Sequence, residues 1–252
     1  MTALITGASS GIGRDIAREL AKRGYRLIVS GRNWKALEEL KNEIGAKRVK
    51  IITADLSDKN ECYRLYREAS RYDVDVLINN AGFGVYGQFA DTNLEKEVEM
   101  INVNITAVHI LAKLFLRDFR RKNKGYILNV ASAAGFMPGP YMAAYYAGKN
   151  YVVRLTEAIS EELRREKSGV YMGALCPGPV DTNFNKTAGV SFGLNGLTSS
   201  YTAEYAVEQM FRRKVLIVPS AAMKISTAAG PLLPPLVLAR ITGAVQSRKG
   251  DL

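Results

Sequence analysis

Short apolar runs alternate with amphipathic stretches along most of the 252-residue chain. Residues 3–6, 26–30, 49–53, 76–79, 126–130, 171–175 and 215–218 are largely apolar and read as strands. Helix-length segments between them begin near Gly11, Trp34, Asp58, Leu94, Ala144 and Thr202, and several repeat apolar residues at helical spacing, as at Ile16 and Leu20 or at Leu37, Leu40 and Ile44. Strands buried on both faces that alternate with crossover helices predict an α/β fold, a doubly wound parallel sheet of about seven strands with helices on both faces. No repeat or low-complexity linker interrupts the pattern, so one domain over residues 1–252 is expected. After residue 218 the pattern changes. Pro231, Pro234 and Pro235 stand among Leu232, Leu233, Leu236, Val237 and Leu238, which predicts a broken helix followed by a short apolar one. This extension, residues 219–252, is expected to pack on the fold or at a subunit interface. A helix lying on a membrane surface and a lid over an apolar substrate are the alternatives.

A hydrophobic content of 47% with 23% charged residues belongs to a globular chain. No apolar run approaches the roughly 18 residues that a membrane-spanning helix needs. The N-terminus runs straight into the first strand without the features of a secretory signal, which makes a cytoplasmic location the default expectation. The net charge of +11 raises the question of an anionic partner. Its clusters, Arg117/Arg120/Arg121/Lys122/Lys124, Arg164/Arg165/Lys167 and Arg212/Arg213/Lys214, each close a predicted helix, where cations offset the negative end of the dipole. That placement favours a solvated surface and no nucleic acid, leaving an acyl carrier, a coenzyme A thioester or lipid headgroups as the anionic partners to weigh. With Cys62 and Cys176 the only cysteines and His109 the only histidine, neither a disulfide framework, a metal cluster nor a histidine triad is expected.

Three places carry chemistry. The first strand ends in Thr6-Gly7-Ala8-Ser9-Ser10-Gly11-Ile12-Gly13 and a helix starts at once. Glycines there let the backbone approach a pyrophosphate, while the free N–H groups and positive dipole end of the helix stabilise its charge. The second strand ends Ser30-Gly31-Arg32. A carboxylate at this point would suit the ribose 2′-hydroxyl of NAD; glycine followed by a guanidinium suits the 2′-phosphate of NADP(H), with Ser9 and Ser10 as supporting donors. Third, Tyr145 and Lys149 stand four residues apart in a predicted helix and share a face. A cation about 5 Å from a phenol, at an effective dielectric near 20, favours phenolate by roughly 3 kcal/mol, about two pKa units, so Tyr145 is expected to be a usable acid/base at neutral pH. Tyr146 and Tyr141 have no lysine at the matching position.

In their order along the chain these motifs resemble the short-chain dehydrogenase/reductase family, in its branch of about 250 residues. The likeness runs from residue 2 to about residue 218: the glycine turn, Asp55-Leu56 after strand three, Asn79-Asn80-Ala81-Gly82 after strand four, Asn104, Ser132, Tyr145 with Lys149, and Pro177-Gly178-Pro179-Val180-Asp181-Thr182 after strand six. The resemblance implies a Rossmann-like NADP(H)-dependent oxidoreductase acting on a carbonyl or alcohol of a moderately hydrophobic substrate, a ketone, an aldehyde or a 3-oxoacyl group. It implies that Ser132 orients the substrate oxygen, that Tyr145 exchanges a proton with it, that Lys149 lowers the tyrosine pKa and binds the nicotinamide ribose, and that Asn104 holds a connecting water. It places Gly7, Ser9, Ser10, Gly11, Ile12, Gly13 and Arg32 around the adenosine phosphates and Asp55 and Leu56 near the adenine. Asn80, Ala81 and Gly82 then flank the riboses, and Pro177, Gly178, Val180 and Thr182 the nicotinamide. A homodimer or homotetramer is expected through the helices near residues 106–122 and 145–166. Phe136, Met137, Tyr141, Met142, Phe184 and Phe192, in segments 133–142 and 183–200, together with segment 83–86, are the expected substrate-side positions. A cofactor sensor or scaffold without turnover is the alternative function.

Overall fold

The structure, a computed structural model, describes residues 1–182, 184 and 196–247. In chain order it runs β1 (Thr2–Thr6), α1 (Gly11–Lys22), β2 (Arg26–Ser30), α2 (Trp34–Ile44), β3 (Val49–Ile51), α3 (Lys59–Ala69) and β4 (Val74–Asn79). Next come α4 (Leu94–Ile101), a π-helical stretch Asn102–Ala107, α5 (Val108–Lys122), β5 (Gly125–Val130) and α6 (Ala143–Arg165). Then follow β6 (Val170–Leu175), β7 (Val180–Asp181), β8 (Leu197–Thr198), α7 (Ser199–Phe211), β9 (Leu216–Ile217), α8 (Ala221–Ala229) and α9 (Pro235–Ser247). Seven strands form one sheet in the order β3-β2-β1-β4-β5-β6-β9, every neighbouring pair parallel. The winding reverses between β1 and β4, and the crevice beyond the carboxyl ends of those strands is where an open α/β sheet takes a ligand.

The alternation of side chains explains why single strands are apolar throughout. Ala3 and Ile5 of β1, with Leu27 and Val29 of β2, point into a core filled by Ile16, Leu20, Leu37, Leu40 and Val207 from α1, α2 and α7. Leu4, Ile28, Leu77 and Ile127 point the other way, against Leu65, Leu111, Phe115, Phe119 and Leu163 from α3, α5 and α6. At the carboxyl ends of β4 and β5 a buried polar chain replaces apolar packing: Asn79 Nδ2 donates to Asn129 Oδ1 (2.9 Å), Asn129 Nδ2 to Thr156 Oγ1 (2.9 Å) and Thr156 Oγ1 to Val152 O (2.7 Å). Such a chain fixes the axial position of α6, which carries Tyr145.

Leu94–Lys122 is one continuous helix and, contrary to the expectation from the sequence, is long and apolar enough by composition to cross a membrane. Its charged residues cluster at positions 95–99 and 113–122, which leaves a charge-free middle whose apolar side chains are interrupted only by Asn102, Asn104, Thr106 and His109. Val103, Ala107, Leu111, Phe115 and Phe119 lie in the sheet-facing core, which marks it as a core helix. The basic clusters are engaged locally. Arg120 meets Glu166 at 2.8 Å, Lys124 meets Asp75 at 3.6 Å, Arg165 meets Glu161 at 2.9 Å and Arg212 meets Glu208 at 2.6 Å, while Arg213 donates to Val170 O (2.7 Å).

Candidate active site

The turn after β1 is tied to the turn after β4. Thr6 Oγ1 accepts the backbone N–H groups of Asn80 (3.0 Å) and Ala81 (3.1 Å), and Asn80 Nδ2 donates to the carbonyls of Thr6 (2.9 Å) and Gly7 (3.1 Å). Gly7 adopts φ +64°, and a methyl on it would sit 2.8 Å from Ala81 Cα; one on Gly13 would sit 2.2 Å from Asn80 Nδ2. Asn80 thus spends its amide on the glycine turn. Ser10, which precedes α1, makes no side-chain cap bond, and the first turn of α1 holds no acid, so its amides are left to an anion. Thr182 closes on the same turn, 3.1 Å from where a methyl on Gly11 would lie.

At the ends of β2 and β3, Asp55 accepts from Ser57 N–H (3.0 Å) and Ser57 Oγ (2.8 Å). Burial pushes its carboxyl up, but the two Ser57 bonds and nearby Arg32 outweigh that and leave it below the usual carboxylate value. Arg32 is 3.9 Å from Asp55, and its Nη1 donates to Glu99 Oε1 at 2.8 Å. Glu99, on α4, was not legible as a site residue: in sequence it is one charge among several on a helix face.

The candidate chemical groups meet where β4, β5 and α6 converge. Tyr145 is buried and hydrogen-bonded to Ser132. Ser132 also accepts from Ala134 N–H (3.1 Å) and donates to Pro177 O (3.5 Å). Lys149 lies one turn on; its Nζ donates to Val130 O (2.8 Å) and stands 5.7 Å from the centroid of the Tyr145 ring. A methyl on Gly82 would be 2.8 Å from Asn104 Oδ1 and 3.4 Å from Lys149 Nζ, so those groups crowd one spot. The π-helical stretch turns Asn104 inward, where its Nδ2 donates to Phe83 O (2.8 Å) and its Oδ1 accepts from Phe83 N–H (3.1 Å). One expectation is corrected. Burial holds the Tyr145 phenol well above its ordinary pKa, with the Ser132 bond opposing only in part, and burial pushes Lys149 down to about 8. Both groups lose water, and desolvation disfavours each charged form more strongly than this arrangement favours it.

A single cleft of about 1440 Å³ joins the glycine turn to these groups. Ser9, Ser10, Ile12, Leu56, Ala81, Gly178, Val180 and the other candidate catalytic and cofactor residues line it except Gly13 and Asn104. Its far end is lined by Val85, Tyr86, Met137, Met142, Tyr146, Phe184 and Met223, and by Leu238, Ile241, Thr242, Val245 and Gln246 of α9. Phe136, expected here, instead packs in the core with Val152, Val153 and Cys176, under Arg154. Tyr141 stacks on Tyr86, with ring centroids 6.1 Å apart, and Phe192 lies outside the described residues. For the extension after residue 218 the sequence offers packing on the fold, a membrane-surface helix or a lid over an apolar substrate, without singling out the α9 residues that line this cleft. Cys62 and Cys176 are buried, and desolvation pushes their thiols up to about 11 and about 12. His109 Nδ1 meets the Tyr151 hydroxyl at 2.6 Å. Among the described residues no three His, Cys, Asp or Glu side chains cluster as metal ligands.

A family model described as short chain dehydrogenase matches residues 1–190. An uncharacterized oxidoreductase of Staphylococcus epidermidis is 32% identical over 193 residues, covering 76% of this chain and 82% of that protein. Among solved structures, a short-chain dehydrogenase from Sphingobium yanoikuyae in complex with NADPH superposes with a TM-score of 0.83 at 30% identity, covering 90% of this chain and 91% of that one. A short-chain dehydrogenase/reductase from Burkholderia phymatum in complex with NAD gives 0.82 at 25% identity over the same shares.

Proposed function

We infer from membership of the short-chain dehydrogenase family, to which this chain belongs, that this oxidoreductase uses NADP(H) to interconvert a carbonyl and an alcohol on a moderately hydrophobic substrate. The observation that carries the reading is the meeting of Tyr145, Ser132 and Lys149 in the cleft that the glycine turn opens into. The residues fit a nicotinamide dinucleotide: a glycine cradle that a methyl group would fill and an uncapped helix N-terminus suit its pyrophosphate. Arg32 supports the phosphorylated form, because a guanidinium with no acid at position 31 can grip a 2′-phosphate. The NADPH complex of the Sphingobium protein supports that choice and the NAD complex of the Burkholderia protein supports the alternative, so the preference rests on Arg32.

When bound, the reduced nicotinamide supplies hydride to the substrate carbon. Ser132 Oγ donates a hydrogen bond to the carbonyl oxygen and orients it. Tyr145 holds its proton because its pKa is raised, and it gives that proton up only as the oxygen acquires alkoxide character, when the oxygen becomes the stronger base. Lys149, brought down to about 8 by burial, is mainly ammonium at neutral pH but gives up its proton more readily than a solvated lysine, so it can carry a proton towards the phenol as well as hold the ribose hydroxyls. Asn104 keeps the Phe83 backbone and the Gly82 turn in place behind Lys149.

The test is NADPH oxidation with a panel of ketones, aldehydes and 3-oxoacyl thioesters. Tyr145→Phe is expected to slow turnover by about a hundredfold or more while leaving NADPH affinity within about twofold. Undiminished turnover in that variant would remove the proposed acid.

A further inference from the structure

The cleft is closed at its far end by α9. Thr242 Oγ1 donates to Pro138 O at 2.7 Å, and the Tyr86 hydroxyl donates to the main-chain carbonyl of Gln246 at 3.1 Å. Gln246 Nε2 donates to the Tyr146 hydroxyl. These bonds fasten α9 to both loops that flank the substrate end. Gln246 is only 2% exposed, lines the cleft, and its side-chain oxygen has no hydrogen-bond partner among the described residues. A buried amide acceptor without a donor is costly and uncommon, and it marks a place that a ligand can complete. The Tyr146 hydroxyl, which accepts from Gln246, still has its own proton to give. Met137, Met142, Met223, Leu238, Ile241 and Val245 make the surroundings apolar, so a polar pair set among them discriminates by what it would leave unpaired.

Resting on the oxidoreductase reading above, we propose that Gln246, with Tyr146, forms a substrate-recognition subsite for a hydroxyl group remote from the reacting carbon. The substrate is then an apolar hydroxyketone or its diol. Its hydroxyl donates to Gln246 Oε1 and accepts from Tyr146. The Tyr145 and Tyr146 rings are neighbours on α6, 6.1 Å apart between centroids, so one helix carries both the acid and the hydroxyl-reading phenol, and cyclic hydroxyketones of fixed geometry are suitable probes.

The experiment compares matched cyclic ketones, monocyclic and fused-ring, with and without a ring hydroxyl in either epimer, for wild type, Gln246→Met and Tyr146→Phe. Wild type is expected to prefer one hydroxylated epimer by about tenfold or more in kcat/KM. Gln246→Met should erase that preference through KM on the hydroxylated ketone, with the bare ketone and NADPH affinity changed by no more than about twofold. Tyr146→Phe keeps the Gln246 acceptor but removes the phenol donor, and should weaken the preference. An absent preference in wild type, its survival in Gln246→Met, its full retention in Tyr146→Phe, or an equal loss on both ketones would overturn the subsite while leaving the oxidoreductase reading standing. Wild type that binds NADPH yet reduces nothing in the panel would overturn that reading and the subsite with it.

Discussion

Glu99 occupies the guanidinium that the proposed NADP(H) 2′-phosphate would need, and on that proposal removing its charge should tighten NADPH selectively. The Arg32–Glu99 pair, at 2.8 Å with side chains 63% and 33% exposed, contributes at most about 1 kcal/mol in water, and a bound phosphate has to share or displace it. The phosphate also feels the carboxylate directly. A charge near −2 on the free edge of Arg32 lies about 6 Å from Glu99, which in a water-like dielectric costs about 1.4 kcal/mol, reduced to about 0.7 kcal/mol by physiological salt. Glu99→Gln removes the repulsion and most of the competition, so NADPH should bind about 5- to 10-fold more tightly. NADH, without the phosphate, should change by less than about twofold. Fluorescence titration of both cofactors at about 50 and 500 mM salt reads this directly, and the NADPH gain should shrink at the higher salt. Equal shifts for the two cofactors, or weaker NADPH binding, would show that Arg32 does not meet the 2′-phosphate or that Glu99 holds it in place for that purpose.

Two further outcomes follow from the packing and burial around the cleft. Gly13→Ala puts a methyl 2.2 Å from Asn80 Nδ2 and 2.6 Å from Gly7 O, so urea unfolding should show a loss of about 1–3 kcal/mol and cofactor affinity should fall at least about tenfold; wild-type values for both would contradict the tight turn. Lys149 has its pKa lowered from 10.5 to about 8 by burial, so the cost of its charge, on the order of 3 kcal/mol, is present in full below about pH 8 and is relieved as pH rises towards 10.5; the stability of wild type relative to Lys149→Met should therefore increase between about pH 7.5 and 9.5 by urea denaturation, and a constant difference would refute the buried ammonium.

What was legible in the sequence and what was not divide by the range of the contacts involved. The central strands could be read because they bury both faces, Leu4 on one side and Ala3 and Ile5 on the other, so the pattern lies in neighbouring residues. The two-residue pairing of β7 with β8 has no such signature, since tertiary docking alone brings those segments together. Tyr145 and Lys149 could be placed because four-residue spacing fixes a shared helix face, yet the direction of the tyrosine shift could not, because burial depends on elements far away in the chain. Glu99 meets Arg32 across 67 positions, and Gln246 meets Tyr146 and Tyr86 across 100 and 160. The groups assigned to the reaction are therefore set by local geometry that a motif can encode. Glu99 and Gln246, which bear on the choice of cofactor and substrate, come instead from α4 and α9 and reach Arg32 and Tyr146 only through tertiary docking. Substituting residues on α4 and α9 should then change what this enzyme accepts with little effect on how it reacts, whereas the Tyr145–Lys149 spacing admits no such exchange.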